Sequence, residues 1–379
     1  MKMKKVLITG GAGFIGSNLA LSLLDRGYDV VVLDNLSTQI HGEDAETNSS
    51  LFLSIKDKVI FYRGDIRDRS LLEQAIKGVD VVVHYAAETG TGQSMYAIQN
   101  YCDVNVGGTA LLLDILANSP NQVSKVVVAS SRSIYGEGKY KNGENSYVYP
   151  SHRVGEDMNN GCFEVTYSGT SNLEVVATDE DSKIHPSSVY GISKQVQEQL
   201  VMTVCPSIGK AGVALRYQNV YGPGQSLKNP YTGILSIFST SIRNGNGINI
   251  FEDGKESRDF VYISDVVEAT ILAIEKPEAD NEVFNVGTGI ATTVVDVAEG
   301  LTEAYGIKVP IQISGNYRLG DIRHNFADLS KIKQRLGFEP KISFSEGLNR
   351  FTQWVQTQDI AADTYMKSIE EMKAKGLYK

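Results

Sequence analysis

A short apolar run that stops in a glycine cluster and restarts as a helix constrains this chain more than any bulk property does. Lys4 to Ile8 has the length and character of a buried parallel strand. It runs into Thr9-Gly10-Gly11-Ala12-Gly13-Phe14-Ile15-Gly16. Gly11, Gly13 and Gly16 fit G-x-G-x-x-G, and Gly10, Gly13 and Gly16 fit the looser G-x-x-G-x-x-G. Backbone without side chains can turn tightly and lie against a pyrophosphate. A helix opening at Phe14 then aims its free N–H groups, those of Phe14, Ile15 and Gly16 among them, at the phosphates. Leu19, Ala20, Leu23 and Leu24 give that helix an apolar face, and a second strand from Asp29 to Leu33 ends at Asp34. Asp34 lies 18 residues beyond Gly16, close to the spacing that puts a carboxylate on an adenosine ribose. A carboxylate repels a 2′-phosphate, and Asn35-Leu36-Ser37 brings no arginine to offset it, so the cofactor expected is NAD rather than NADP.

Alternation of strands with helices continues to residue 216, which predicts an α/β chain with a doubly wound parallel sheet. Ser37 to Ser50 is polar and is expected to be a loop, and Lys58 to Arg63 a third strand. Gly64-Asp65-Ile66-Arg67-Asp68 follows, with a helix start at Asp68. Asp65 and Ile66 stand where an adenine ring would want a carboxylate and an apolar wall; the alternatives are a capping Asp and a core Ile, the latter explaining Ile66 equally well. Asp80 to His84 is a fourth strand, with His84 expected to be structural. The small Ala86 and Ala87 after it allow a cofactor to come close. In the polar loop from Glu88 to Ser94, Thr89, Thr91 and Ser94 can hydrogen-bond a sugar. One long helix is expected over Met95 to Asn118. A fifth strand spans Lys125 to Ala129, a helix Ser187 to Val204, and a sixth strand Gly212 to Leu215.

Beyond residue 216 the elements shorten and the loops gain Gly, Pro and Asn. We expect a sheet domain over 1–216, a smaller mixed lobe over 217–357 and a solvated helical tail over 358–379. In the lobe, Glu282 to Val286 is a strand, and Thr293 to Tyr305, Leu329 to Leu336 and Phe344 to Val355 are amphipathic helices. Residues 137–186 form a polar insert too long for a mere connection. Cys162 to Tyr167 and Leu173 to Thr178 are expected to pair as a hairpin, serving as a lid, an interface arm or decoration.

With 379 residues and 42% hydrophobic content the chain can bury a large core. A net charge of −9 argues against non-specific nucleic-acid binding. Cys102, Cys162 and Cys205 are odd in number and far apart, so neither a disulfide framework nor a metal site is expected. A reducing cytoplasm is the simplest setting. The apolar run after Lys5 is too short for a signal peptide, and no run approaches a membrane span.

The chemistry is expected where Tyr190-Gly191-Ile192-Ser193-Lys194 opens a helix. Tyr190 and Lys194 are four apart and share one face. A free phenol has a pKa of about 10, and a nearby ammonium together with a cationic nicotinamide favours the phenolate. Such a base can take a hydroxyl proton as hydride leaves the same carbon. Ser131, just after the fifth strand, can hold the substrate oxygen.

Taken together these motifs resemble the extended short-chain dehydrogenase/reductases that act on nucleotide sugars. The resemblance spans roughly residues 4 to 355 and includes Ser130-Ser131-Arg132-Ser133-Ile134-Tyr135-Gly136, Leu215-Arg216-Tyr217-Gln218-Asn219 and Arg258-Asp259-Phe260-Val261-Tyr262. It implies Ser131, Tyr190 and Lys194 as the catalytic trio, with Lys194 also on the nicotinamide ribose. It implies Asn219, Arg258, Arg318 and Asp321 as contacts to the diphosphate and nucleoside of the substrate. Dehydratases of the family carry Thr-Asp-Glu where this chain has Ser131-Arg132-Ser133, and decarboxylases carry Thr-Ser-Glu. The missing acids argue against both reactions and leave 4-epimerisation through a 4-keto sugar.

The segments Ala87 to Met95, Ser131 to Tyr140 and Asn229 to Leu235 resemble the dTDP-L-rhamnose 4-epimerase branch, which makes dTDP-6-deoxy-L-talose. A reductase or dehydrogenase with net redox, and a non-catalytic NAD-binding regulator, are the alternatives. The family also implies a homodimer through the helices near 95–118 and 187–204, where Leu113, Val196, Leu200 and Val201 are available.

Overall fold

The computed structural model describes residues 4–143, 146–170, 172–227, 229, 233–361 and 365–378. Its centre is a parallel sheet with the strand order 283–286, 211–217, 125–131, 81–84, 5–9, 29–34, 60–63. Strand side chains alternate in period two between the two faces. Val6 and Ile8 face one apolar layer and Leu7 the other, as do Val30 and Val32 against Val31 and Leu33. Helices Phe14–Asp25 and Ile263–Glu275 cover the first layer. Arg69–Ile76, Gly108–Asn118 and Val189–Ser207 cover the second. Strand order reverses between Lys5–Thr9 and Val81–His84, and that reversal opens a crevice at the carboxyl ends of the strands.

The seventh strand, Val283–Val286, pairs in parallel with Ala211–Tyr217 and so belongs to the sheet rather than to the later lobe. The chain leaves the sheet after Tyr217, covers one of its faces with helix Ile263–Glu275, and rejoins it at Val283. The expected boundary at 216 is therefore not a clean cut: sheet and lobe interleave in sequence.

Other expectations also need correction. Ser37 to Ser50 is not an open loop but carries the short helices Thr38–His41 and Ala45–Asn48, followed by Ser50–Ile55 with Phe52 and Ile55 in the core. The long helix does not run unbroken from Met95: Ile98–Tyr101 leads into a π-helical stretch, Cys102–Gly107, and then Gly108–Asn118. In the insert, Lys139–Lys141 pairs antiparallel with both Tyr147–Val148 and Glu174–Val176, so the 173–178 run does contribute a strand. The 162–167 run does not pair with it. Phe163 and Val165 instead bury in two small clusters, with Met158 and Tyr317 and with Tyr140 and Val148. Ser171 of the expected turn lies outside the described residues.

The tail is likewise not simply solvated. Helix Tyr365–Ala374 buries Ile369 and Met372 with Phe251 and Tyr378, and Tyr378 bridges Arg318. Among the described residues, no helix is long and apolar enough to cross a membrane.

Candidate active site

A cavity of about 590 Å³ lies over the crevice, between the sheet edge and the lobe. Its floor begins at the glycine turn. Gly10 has φ +68°, and a Cβ there would stand 2.7 Å from the Ala86 nitrogen. A Cβ on Gly16 would stand 2.6 Å from the Gly10 oxygen, so the turn itself excludes side chains at both positions. Gly13, which caps helix Phe14–Asp25, is different: its Cβ would meet only the Gly10 oxygen, at 3.3 Å. The fold leaves that position open on the cavity side, which is the cradle a pyrophosphate needs. Phe14 and Ile15 line the same end.

Asp34 is buried at the end of its strand, and its carboxylate accepts from Ala12 N (3.0 Å) and Leu36 N (2.8 Å). Burial raises its pKa, while these backbone donors oppose the shift. Each carboxylate oxygen has a second lone pair, so capacity for a ribose hydroxyl remains. Asn35 and Asp65 line the cavity beside it. Arg67 holds Asp65 through two hydrogen bonds of 2.7 and 2.8 Å and keeps its carboxyl below the usual range. Ile66 serves both readings: it is buried under Gly108 and also lines the cavity, as Ala86 and Ala87 do.

Ser131, Tyr190 and Lys194 converge on this cavity. Ser131 ends the strand Lys125–Ser131 and caps the next turn, accepting from Ser133 N at 3.2 Å. Ser188 caps the helix that carries the other two, accepting from Gly191 N. Burial raises the Tyr190 phenol, and a hydrogen-bonding interaction with Ser131 and the charge of Arg132 both pull it back down. Lys194 is buried, its Nζ donates to Ala129 O at 3.1 Å, and burial lowers its pKa to about 7. Arg132 is thus a further positive charge acting on the phenol.

His84 is structural, as expected. It bonds Thr9 and Thr109 at 2.8 and 2.9 Å, and burial drives its pKa down to about 3, so it is neutral.

Of the residues expected on the substrate, Thr89, Asn219, Arg258, Arg318 and Asp321 line the cavity. Ser94 does not. It is fully buried and donates to Thr91 O at 2.6 Å, one turn back in its own short helix. Arg258 donates to the carbonyls of Ser257 (2.8 Å), Arg323 (2.9 Å) and Ile322, which fixes its guanidinium. Arg318 pairs with Asp321 at 2.9 Å and lies 5.2 Å over the Phe251 ring.

Sequence reasoning passed over three contributors. Asn105, in the π-helical stretch, accepts from Glu88 N and donates to Ser193 Oγ, tying the Glu88 loop to the Tyr190 helix. π-helical turns recur at functional sites, but no local residue pattern announces them. Glu256 lines the lobe side, where burial raises its pKa to about 7. Met372 reaches the cavity from the tail. Pro230, Tyr231 and Thr232, part of a motif in the resemblance, lie outside the described residues.

The model of the NAD dependent epimerase/dehydratase family matches residues 6–153 and 159–287. A dTDP-L-rhamnose 4-epimerase of Burkholderia thailandensis is 35% identical over 93% of this chain and 95% of its own. Among solved structures, a UDP-glucose 4-epimerase from Thermotoga maritima with UDP-glucose superposes with TM-score 0.74 at 32% identity, covering 93% of this chain and 98% of that one. A UDP-glucuronic acid 4-epimerase from Bacillus cereus, in complex with UDP-glucuronic acid and NAD, has TM-score 0.74 at 27% identity, covering 93% and 99%.

Proposed function

Since the chain belongs to the NAD dependent epimerase/dehydratase family, we propose that it is an NAD-dependent 4-epimerase of nucleotide-diphosphate sugars. The observation that carries this reading is one cavity lined at once by the glycine turn, Asp34, Ser131, Tyr190 and Lys194. The open face of Gly13 and the buried carboxylate of Asp34 fit NAD. Phe14, Ile15, Asn35, Asp65, Ile66, Ala86 and Ala87 would complete its adenosine and pyrophosphate contacts. When bound, NAD supplies a hydride acceptor and donor.

The chain supplies the proton chemistry and the orientation. Ser131 holds the C4 oxygen, and Tyr190 takes the proton of the C4 hydroxyl. The 4-keto sugar then turns to offer its other face, and Tyr190 returns the proton. Lys194 orients the nicotinamide ribose. Asn219, Arg258, Arg318 and Asp321 hold the diphosphate and nucleoside, for which the planar arginine fork is suited, so the sugar can swing while its anchor stays put. Thr89 borders the sugar.

The substrate we propose is dTDP-L-rhamnose, with dTDP-6-deoxy-L-talose as product. The Burkholderia thailandensis relative and the Ser131 to Tyr140 segment support this choice. A homodimer accords with half-exposed Ile98 and Ile192 on the two helices concerned. Leu113 and Val201, by contrast, lie in the chain's own core. The cytoplasm suits three free thiols.

The test is incubation of purified protein with dTDP-L-rhamnose, then UDP-glucose and UDP-glucuronic acid, followed by proton NMR. Inversion at C4 without net NADH formation is expected. Unchanged C4 configuration across the set, or stoichiometric NADH, overturns the reading.

A further inference from the structure

Immediately after Ser131, Arg132 lines the cavity. Its Nε donates to Asn219 Oδ1 at 2.5 Å. Its Nη1 is buried and finds no hydrogen-bond partner among the described residues. A buried, charged donor left unpaired bears its full desolvation penalty with nothing to offset it. Such an atom is kept where something else supplies the acceptor.

The neighbourhood narrows what that acceptor is. Ser131, Tyr190, Asn219, Arg258 and Asp321 line the same cavity, and the charges felt by the guanidinium are those of Arg258, Asp321, Tyr190 and Asp259. From the remaining elements around Tyr190 come Lys194, which is turned to the Ala129 carbonyl, and the Tyr101 hydroxyl, which is turned to Thr89 O. Arg132 therefore shares the cavity both with the reacting trio and with the arginine expected on the diphosphate.

We propose that Arg132 is a positioning residue for the reaction: Asn219 fixes its guanidinium within electrostatic reach of Tyr190, and Nη1 binds a substrate oxygen between the reacting carbon and the diphosphate. The guanidinium neither gives nor takes a proton. Burial and the like charge of Arg258 push its pKa down, but a guanidinium keeps its proton over the whole range in which a tyrosine titrates. Its fixed charge opposes the burial that holds the phenol protonated, and it does so whether or not a sugar is present. The proposal deepens the epimerase reading and rests on Tyr190 being the base.

Two measurements test it, and the first needs no sugar. The phenolate absorbance of the NAD-loaded protein is titrated, and the same titration of Tyr190→Phe is subtracted to isolate Tyr190. Arg132→Gln is expected to raise the Tyr190 midpoint by about one pH unit, a tenfold shift, while Arg132→Lys, which keeps the charge, leaves it in place. Should Arg132→Gln not fold, Asn219→Ala releases the guanidinium, and a midpoint raised part of the way is expected. A Tyr190 midpoint unmoved in whichever of these variants folds overturns the proposal even if the epimerase reading stands. The second measurement is turnover of dTDP-L-rhamnose. Arg132→Lys is expected to keep the pH profile of kcat and to raise KM about tenfold, because a point charge replaces a fork. An unchanged KM removes the role of Nη1. Absence of turnover in the parent protein overturns the epimerase reading instead and leaves the titration to decide on Arg132.

Discussion

Along the sheet edge, the cavity floor rests on side chains such as Ile8, Val83 and Val127, which have no exposed surface. The wall opposite hangs instead on Arg323, an equally buried arginine. Its guanidinium bonds Glu252 (3.0 Å), Asp253 (2.7 Å) and Glu164, and its backbone N–H donates to Glu137 at 2.6 Å. Arg153 joins the same network through Glu252 at 2.7 Å. Insert and lobe are thus held together by directional ion pairs, and the floor by non-directional apolar burial. Apolar layers tolerate small shifts at modest cost, whereas a buried pair that loses one member strands a charge. The wall is the part of this molecule that pH and single charge changes should loosen.

The largest effect expected is chemical and belongs to the floor. Tyr190→Phe should lose on the order of a thousandfold in kcat while NAD affinity stays near the parent value. Equal loss of NAD binding would mean that the ring holds the cofactor rather than moving the proton.

Next comes stability. Arg323→Met should cost about 3–5 kcal/mol in urea denaturation, and Leu7→Ala, in the floor, about 2–5 kcal/mol. The two should part company with pH. His324 and Arg323 hold the Glu164 carboxyl down to about 2. Its contribution is therefore fully present above the ordinary carboxylate range and is lost as pH falls toward that value. The Arg323→Met deficit should shrink over that interval and the Leu7→Ala deficit should not. Parallel curves would erase the distinction between wall and floor.

The floor also titrates, at Lys194 in particular. Lys194 is depressed to about 7, so between that pH and the ordinary lysine range the unfolded chain holds the extra proton. Stability without NAD should rise with pH across this window, and Lys194→Met should flatten the rise. The smallest effect expected is at the rim. Removing residues 362–379 takes Met372 from the cavity and Tyr378 from Arg318, and should raise KM several-fold with kcat little changed.

Much of the floor is legible in the order of residues. Strands at Lys5–Thr9, Asp29–Asp34 and Lys125–Ser131, the turn at Gly10 to Gly16, and Tyr190 four residues before Lys194 all follow from local periodicity and spacing. Ser94 misled because a hydroxyl's direction depends on which backbone oxygen it can reach, here that of Thr91. The 162–167 run misled because β-rich composition does not say which strand is free to pair, and Lys139–Lys141 took both partners. The tail misled because Ile369 and Met372 find their partner in Phe251, more than a hundred residues earlier.

What the chain determines by sequence alone is whatever closes over a few positions: a glycine turn, a strand's alternation, two side chains on one helical face. Folding in three dimensions decided the rest. It returned Val283–Val286 to the sheet, gathered charges from positions 137, 153, 164, 252 and 323 into one network around the buried Arg323, and set Arg132 against Asn219. The reason is that local periodicity repeats every two or four residues and can be read in any short window. An ion pair or a docked helix depends on distances that exist only after distant segments have met.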